Sequence, residues 1–224
     1  MKLYLIRHGM TEGNKKKRYI GITDESLCEE GRGMLIPSFF KEKDVECVIV
    51  SPLKRCLETA KILFPGVEMV VIEKLSECDF GSFENKNYQE LSGDARYQAW
   101  IDSNGTLPFP GGESVEDFKK RTKEGFLEAL SLLEKRKIES AAMVVHGGTI
   151  MTIMEAFAYP KAGYYDYMVK NGEGYELDLS VLADGVDRIC SGFSSGGSQV
   201  AVSSGPCHRT SDRSLGKNYK KMPS

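Results

Sequence analysis

Hydrophobic positions along the chain form short runs that alternate with longer segments of mixed polarity. Four of these runs predict buried strands, at residues 2–6, 46–51, 67–72 and 141–145. The segments between and after them favour helices, at residues 26–42, 52–64, 114–137 and 149–158. Strands that alternate with helices indicate an α/β fold, a three-layer α/β/α sandwich with a mainly parallel central sheet.

Two stretches of the chain depart from this alternation. Residues 75–112 are irregular and rich in glycine and proline, and a segment of that length is usually either functional or disordered. From residue 190 the chain is first rich in serine and glycine and then polar and basic. We therefore predict one domain over residues 1–189 and a weakly structured tail over residues 190–224.

Composition narrows the class of protein. A chain of 224 residues that is 41% hydrophobic suits one globular core, and its 30 basic and 32 acidic residues argue against nucleic-acid binding. No apolar run approaches the roughly 20 residues of a membrane helix, and the apolar N-terminus is too short for a signal peptide. The six cysteines include no Cys-x-x-Cys pair, which favours reduced thiols in a cytoplasmic protein.

Three of the predicted strands lead into histidine or arginine side chains. Arg7 and His8 follow the first strand, Arg55 lies just beyond the second, and His146 follows the fourth. Ligands bind at the carboxyl ends of strands in an open parallel sheet, so we expect these four side chains to converge in one crevice.

These residue types suit phosphate chemistry. Each of two guanidinium groups can donate a bidentate pair of hydrogen bonds to a doubly charged phosphoryl group. A neutral imidazole can attack phosphorus through a ring nitrogen, and His146, if protonated, would add a third cation. The leaving alkoxide then needs a proton from a nearby carboxylic acid. A metal site is the rival use of two histidines, but no His-Glu-x-x-His motif supports it, so we expect no metal and no cofactor.

Several motifs occur in a characteristic order along residues 1–182. They include Leu5-Ile6-Arg7-His8-Gly9-Met10-Thr11 with Asn14, Ser51-Pro52-Leu53-Lys54-Arg55, Leu75-Ser76-Glu77, Pro110-Gly111-Gly112-Glu113-Ser114 and Val145-His146-Gly147-Gly148. This ordered set resembles that of the histidine phosphatase superfamily, the phosphoglycerate-mutase-like enzymes. The resemblance implies the fold of that family, with His8 as the phosphorylated nucleophile and a phosphate pocket formed by Arg7, Arg55 and His146.

The resemblance also implies a proton donor, Glu77, although other carboxylates lie nearby and their assignment stays open. Those carboxylates are Glu73, Asp79, Glu84 and Glu113. Asn14 matches a position that often lines the pocket in the family. Thr149, at the start of the helix after the fourth strand, can offer backbone or hydroxyl contacts to phosphate.

The choice within the family lies between a mutase and a phosphatase. Residues 78–84 contain no arginine, whereas phosphoglycerate mutases resemble each other in an arginine-rich stretch there, and Asp79 would repel a carboxylate. We therefore expect hydrolysis of a small phosphorylated metabolite by a monomer or homodimer. The motifs are similar to those of alpha-ribazole phosphatases of cobalamin biosynthesis and of broad-specificity relatives. A phosphoglycerate mutase and a non-catalytic relative that binds phosphate esters remain as alternatives.

Residues 75–112, which we expect to form a cap over the substrate, are rich in aromatic side chains. These side chains can stack on a base or ring of the substrate, and they can equally serve to pack the cap. The residues in question are Tyr88, Tyr97, Trp100 and Phe109.

Overall fold

The structure is a computed structural model that describes residues 1–179 and 217–222. Its strands are β1 (Lys2–Arg7), β2 (Cys47–Val50), β3 (Glu68–Val71), β4 (Ser140–Val145), β5 (Gly174–Asp178) and β6 (Tyr219–Met222). They form one sheet in the order β3-β2-β4-β1-β5-β6. The first four strands of that order are mutually parallel. Strand β5 pairs antiparallel with β1, and β6 pairs antiparallel with β5. The predicted mainly parallel sheet is confirmed.

Helices lie between the strands, as predicted. They are α1 (Glu12–Lys15), α2 (Glu29–Gly33), α3 (Lys54–Leu63), α4 (Ala95–Asp102), α5 (Val115–Lys135) and α6 (Gly147–Phe157). Helix α5 begins where the sequence places it, because the Ser114 hydroxyl caps it by accepting a hydrogen bond from the Asp117 amide at 3.0 Å. Among the described residues, no helix has the length and apolar character needed to cross a membrane.

The core lies on both faces of the sheet. Side chains alternate along β1, so that Leu3 and Leu5 pack with α5 and α6 while Tyr4 and Ile6 pack with α3 on the opposite face. All four of these side chains are buried, as expected for a strand covered on both sides. The chain is therefore the three-layer sandwich that the sequence predicts.

The helix predicted over residues 26–42 is wrong in its bounds, because the helix observed there is much shorter. Only α2 is helical there, and a separate 3-10 turn covers Pro37–Phe40. Ile36 is extended, with φ −112° and ψ 88°, because the ring of the following proline disfavours helical geometry in the residue before it.

The prediction of a weakly structured tail over residues 190–224 is wrong for its described part. Tyr219–Met222 forms β6 and pairs with β5, and Met222 is buried in the core. Asn218 anchors this strand, since its side chain accepts a hydrogen bond from the Tyr159 amide at 2.7 Å and donates to the Phe157 carbonyl at 3.2 Å. The rest of the predicted tail, and its boundary at residue 190, lie outside the described residues.

Residues 75–112, the predicted cap, contain α4 and pack around a small aromatic core of their own. The two ends of the segment are joined closely. Ser82 donates a backbone hydrogen bond to Pro110 at 2.8 Å, and Glu113 donates one to Asp79 at 2.9 Å. Gly81 has φ +52°, and a Cβ there would collide with the backbone at Pro110, so the crossing requires glycine.

Candidate active site

The turns after β1 and β4 bring two histidines together. The two strands are neighbours in the sheet, with Arg7 opposite Val145, and the His8 amide donates to the Val145 carbonyl at 3.0 Å. The ring centroids of His8 and His146 consequently lie 5.2 Å apart. The crevice at the carboxyl ends of the strands is where the sequence places these groups.

His8 is held in a single orientation and a single tautomer. Its Nδ1 lies 2.7 Å from the carbonyl oxygen of Gly9, which can only accept, so Nδ1 carries the proton and Nε2 keeps its lone pair. The Gly9 amide in turn donates to the Thr59 hydroxyl at 2.9 Å. Burial, aided by the charges of Arg55 and Arg7, holds the pKa of His8 well below its usual value. A neutral imidazole with a free Nε2 is the form that can attack phosphorus.

His146 is also neutral in this geometry, so the condition under which it would add a third cation is not met. Arg55 donates from Nε to its Nδ1 at 3.3 Å, and a guanidinium has no acceptor, so Nδ1 is unprotonated. Its Nε2 then donates to the Ser51 hydroxyl at 2.7 Å. Burial, aided by the charge of Arg55, keeps the pKa of His146 well below its usual value. The positive charge of the site therefore comes from the arginines alone.

Arg55 is wholly buried and joins several parts of the site. Besides its bond to His146, it donates from Nη1 to the Thr23 carbonyl at 2.7 Å and from Nη2 to the Gly21 carbonyl at 2.7 Å. It also contacts the Ile20 carbonyl at 3.3 Å. Arg55 thus fixes the loop at residues 20–23 while it supplies charge.

Arg7 has a donor to spare. Its Nη1 donates to the Val169 carbonyl at 2.7 Å, whereas its buried Nε has no partner within the described residues. An unpaired buried donor on a guanidinium is costly unless a ligand completes it. The residue beside it is Gly147, where a Cβ would lie 3.4 Å from both Cζ and Nε of Arg7 and so in contact with the guanidinium.

Glu77 lies at the same crevice, next to the start of α6. Its carboxylate accepts from the Cys78 amide at 3.0 Å and from the Gly148 amide at 3.2 Å, and only 8% of the residue is exposed. Burial raises the pKa of Glu77, outweighing these two amide donors and the arginines. A carboxyl group whose pKa is raised is better suited to donate a proton than one with the ordinary value.

The other carboxylates of this region are occupied or exposed. Glu73 is exposed, Asp79 accepts from the Gly81 amide at 2.8 Å, and Glu84 accepts from the Gly21 and Thr23 amides at 2.8 and 2.9 Å. These contacts are structural, since they fix turns of the cap and of the loop at residues 20–23.

Glu113, the last of these carboxylates, forms a two-point ion pair with Arg121, with distances of 2.9 and 2.8 Å. The same guanidinium donates to the carbonyls of Lys74 at 2.9 Å and Ser76 at 3.0 Å. The pair therefore holds the backbone that precedes Glu77, which explains the position of Glu113 in its Pro-Gly-Gly-Glu-Ser motif.

Within the described residues, neither Asn14 nor Thr149 forms a side-chain hydrogen bond with the side chains of the five residues above. The side-chain oxygen of Asn14 accepts from the Thr11 amide at 3.2 Å and from Asn171 at 3.1 Å, so Asn14 supports the turn after β1. Thr149 is fully buried in α6, and its hydroxyl has no partner within the described residues. The structure thus gathers Arg7, His8, Arg55, His146 and Glu77 in one site and places these two residues at its edge.

Sequence reasoning missed two supporting residues. Ser51 orients His146, and its position directly after β2, four residues before Arg55, is a signal that was available. Asn171 donates to the His8 carbonyl at 3.1 Å, and nothing in its local sequence marks it. Its role depends on the pairing of β5 with β1, which is a long-range feature.

One group of side chains in the described residues has the spacing of metal ligands, namely Glu12, Cys28 and Glu30. It includes neither histidine. Lys15 pairs with both carboxylates, at 3.7 and 2.5 Å, and the Cys28 sulfur accepts from the Gly31 amide. The expectation that no metal takes part stays a prediction.

A cavity of about 930 Å³ opens beside Glu77 and Gly148. Its walls are rich in aromatic side chains, from Tyr19, Phe80, Trp100, Phe109, Phe118, Tyr164 and Tyr165. Trp100 and Phe109 both line the cavity and pack on each other, with ring centroids 5.2 Å apart. Tyr88 and Tyr97 are not among its lining residues, so only two of the four cap aromatics highlighted by the sequence can reach a bound ring.

The depressed histidine pKa values predict a loss of stability in acid. In the unfolded chain a histidine takes up a proton near pH 6.5, whereas both buried rings stay neutral to lower pH. The free energy of unfolding should therefore fall as pH drops below about 6.5, by up to about 1.4 kcal/mol per pH unit for each ring. Urea titrations between pH 7.5 and 5 give the free energy of unfolding at each pH. That free energy should fall less steeply with decreasing pH for His146→Gln than for the wild type. Equal slopes would contradict a neutral, buried His146.

Comparison with known proteins identifies the family. The family model of the histidine phosphatase superfamily (branch 1) matches residues 3–181. An adenosylcobalamin/alpha-ribazole phosphatase of Salmonella typhimurium is 27% identical over 201 residues, which cover 86% of this chain and 93% of that protein. Phosphoserine phosphatase 1 of Hydrogenobacter thermophilus is 29% identical over 151 residues, covering 65% of this chain and 70% of that protein.

The fold is shared with solved structures. The crystal structure of the alpha-ribazole phosphatase from Shigella flexneri superposes with a TM-score of 0.69 and 23% identity, covering 80% of this chain and 90% of that one. Because the family model spans most of the chain, the match is not confined to the turn around His8. The chain belongs to the histidine phosphatase superfamily.

Proposed function

We propose that this phosphatase hydrolyses phosphomonoesters without a metal, through a phosphohistidine formed on His8. The observation that carries the proposal is the state of His8, whose Nδ1–H is held by Gly9 while the free Nε2 lies in a buried site with two arginines. Glu77 completes the site with a carboxyl group whose pKa is raised by burial.

The first half of the reaction forms the intermediate. Nε2 of His8 attacks phosphorus, the bond from phosphorus to the ester oxygen breaks, and Glu77 gives its proton to the leaving alkoxide. The unpaired Nε–H of Arg7 and the charge of Arg55 neutralise the phosphoryl oxygens. His146 acts as a positioning residue, because it fixes the Arg55 guanidinium through Nδ1.

The second half releases phosphate. Glu77, now a carboxylate, takes a proton from a water molecule that attacks phosphorus, and the bond from phosphorus to His8 Nε2 breaks. The imidazole returns to its neutral form and Glu77 returns to its acid form. Each group thus ends the cycle in the state that its surroundings favour.

Hydrolysis is still favoured over phosphoglycerate mutation, but one of the two arguments from the sequence no longer applies. Asp79 is bound to the Gly81 amide and does not line the cavity, so repulsion of a carboxylate by Asp79 no longer supports the choice. What supports it is the absence of arginine from residues 78–84 and a cavity far larger than a three-carbon acid needs.

The proposed substrate is a small phosphorylated metabolite, and alpha-ribazole 5'-phosphate is the first ester of this class to test. The name of the Salmonella relative includes alpha-ribazole, and the aromatic cavity walls suit a planar ring.

A substrate panel in chelator tests the function. Alpha-ribazole 5'-phosphate, phosphoserine and phosphoglycerate are each incubated with enzyme and EDTA, and released phosphate is measured. We expect phosphate release that EDTA does not affect and that His8→Ala abolishes. Loss of activity in EDTA would contradict the metal-free mechanism. Conversion of phosphoglycerate without release of phosphate would indicate a mutase, and binding without turnover would indicate a non-catalytic relative.

The role of Glu77 predicts a dependence on the leaving group. Glu77→Gln should lower kcat/KM about 10³-fold for alkyl phosphates, which need a proton, and much less for 4-nitrophenyl phosphate, whose phenolate leaves unaided. Glu73→Gln is the matched control, because Glu73 lies on the same loop and is exposed. Equal losses with both esters would show that another group is the acid.

A further inference from the structure

The cavity wall formed by α5 carries an excess of positive charge. It contributes Lys119, Lys120 and Lys123 to the lining, against a single carboxylate, Glu116. Lys119 is already neutralised, since its Nζ lies 2.6 Å from a carboxylate oxygen of Glu155. Its Nζ also lies 4.4 Å from the centre of the Tyr164 ring, which fixes it against the wall.

Lys120 and Lys123 are different, because neither has an ion pair within the described part of the chain. Lys120 is exposed, and Lys123 is half-buried one turn beyond Lys119 on the same face of the helix. Most of the surrounding wall is apolar and aromatic, and a cation beside a low-dielectric wall attracts anions more strongly than one in open water.

The phosphoryl group of the substrate does not account for these lysines. In the proposed mechanism Arg7 and Arg55 bind it, and neither arginine is among the residues that line the cavity. Glu77 and Gly148 belong both to the candidate active site and to the cavity lining. Because Glu77 is the proposed proton donor to the leaving alcohol, the cavity begins where that alcohol departs. The lysines therefore face the alcohol portion of the substrate.

We propose that the alcohol of the substrate carries a planar ring and a second anionic group, a carboxylate or a phosphate, which Lys120 and Lys123 bind. The inference rests on the proposed hydrolase function and names the class of ester that it serves. The ring packs among the cavity aromatics. The ring distinguishes this class from phosphoserine, whose alcohol carries a carboxylate but no ring, and the second anion distinguishes it from alpha-ribazole 5'-phosphate.

Three esters with one carbon skeleton test the proposal. They are 2-naphthylmethyl phosphate, its 6-carboxylate and its 6-phosphonate, the last two covering both chemistries of the second anion. For the wild type we expect kcat/KM to be about tenfold higher for each anionic ester than for the neutral one, mainly through KM, and the preference to shrink as salt rises.

Charge variants identify the lysines. Lys120→Met combined with Lys123→Met should abolish the preference while changing kcat/KM for the neutral ester little. Lys61→Met is the matched control, since it removes the same charge from an exposed position on α3 that does not line the cavity. Glu116→Gln should act in the opposite direction and raise kcat/KM for the anionic esters.

The outcomes separate the two proposals. Three results would each overturn the proposal of a second anionic group. They are equal kcat/KM for the neutral and anionic esters, equal losses with both kinds of ester in the double lysine variant, and faster turnover of alpha-ribazole 5'-phosphate than of either anionic ester. Hydrolysis by His8 would stand in all three cases. Turnover that survives His8→Ala would overturn the hydrolase mechanism itself.

Discussion

Replacing His8 by alanine is expected to lower kcat/KM for phosphomonoesters by about 10⁵-fold, because the covalent intermediate can no longer form. The arginines and Glu77 remain, so binding of inorganic phosphate should persist. Steady-state hydrolysis and phosphate titrations of the purified variant would measure the two effects.

The matched control is His208→Ala, which removes the third histidine of the chain. That variant should keep wild-type turnover. His8→Ala should also remain folded, because a buried imidazole that is kept neutral beside two arginines contributes little favourable charge interaction. A loss smaller than about tenfold would show that His8 is not the nucleophile.

Arg55→Met is expected to lower both activity and stability. Loss of the charge next to the phosphoryl group should reduce kcat/KM about 10³-fold. The carbonyls of Gly21 and Thr23 would lose their buried donor, and the free energy of unfolding should fall by about 3 kcal/mol. Kinetics and urea unfolding of one preparation would measure both.

Arg55→Lys separates charge from geometry. A lysine keeps the charge but cannot bridge His146 and the loop at residues 20–23 together, so most of both losses should persist. Arg32→Met is the control, since Arg32 is half-exposed and its ion pair in the described part of the chain is with Glu58 at 2.6 Å. Full activity in Arg55→Lys would mean that charge alone matters at this position.

The parts of this fold that the sequence predicts are those that local pattern controls. Strand β1 is apolar and ends at Arg7, and α5 begins after Ser114 because its hydroxyl caps the first turn. The convergence of His8, Arg55 and His146 follows from a general property of parallel sheets rather than from any contact visible in sequence.

The parts that the sequence does not predict depend on distant partners. The strand at Tyr219–Met222 is polar and basic, and it is ordered by pairing with β5. The protonation of His146 could not be read from its neighbours in the chain, because the donor that settles it, Arg55, is 91 positions away. Glu77 differs from Glu73 in burial and in its contact with Gly148, which are properties of the folded chain.

In this site the positive charge and the proposed nucleophile belong to different side chains. Two arginines supply the positive charge, and that charge, together with burial, keeps both imidazoles neutral. Burial also raises the pKa of Glu77, which shifts this carboxyl group toward its acid form. One environment thus prepares a base-like nucleophile and an acid side by side, which is the arrangement that transfer of a phosphoryl group to a histidine needs.

The covalent intermediate is the central claim, and trapping it is the most direct test. Wild-type enzyme is mixed with a ³²P-labelled phosphomonoester and denatured within milliseconds in alkali, which preserves phosphohistidine. We predict label on the peptide that contains His8, lost on mild acid treatment and absent from His8→Ala. Turnover without labelled protein, or label on a different residue, would contradict the account.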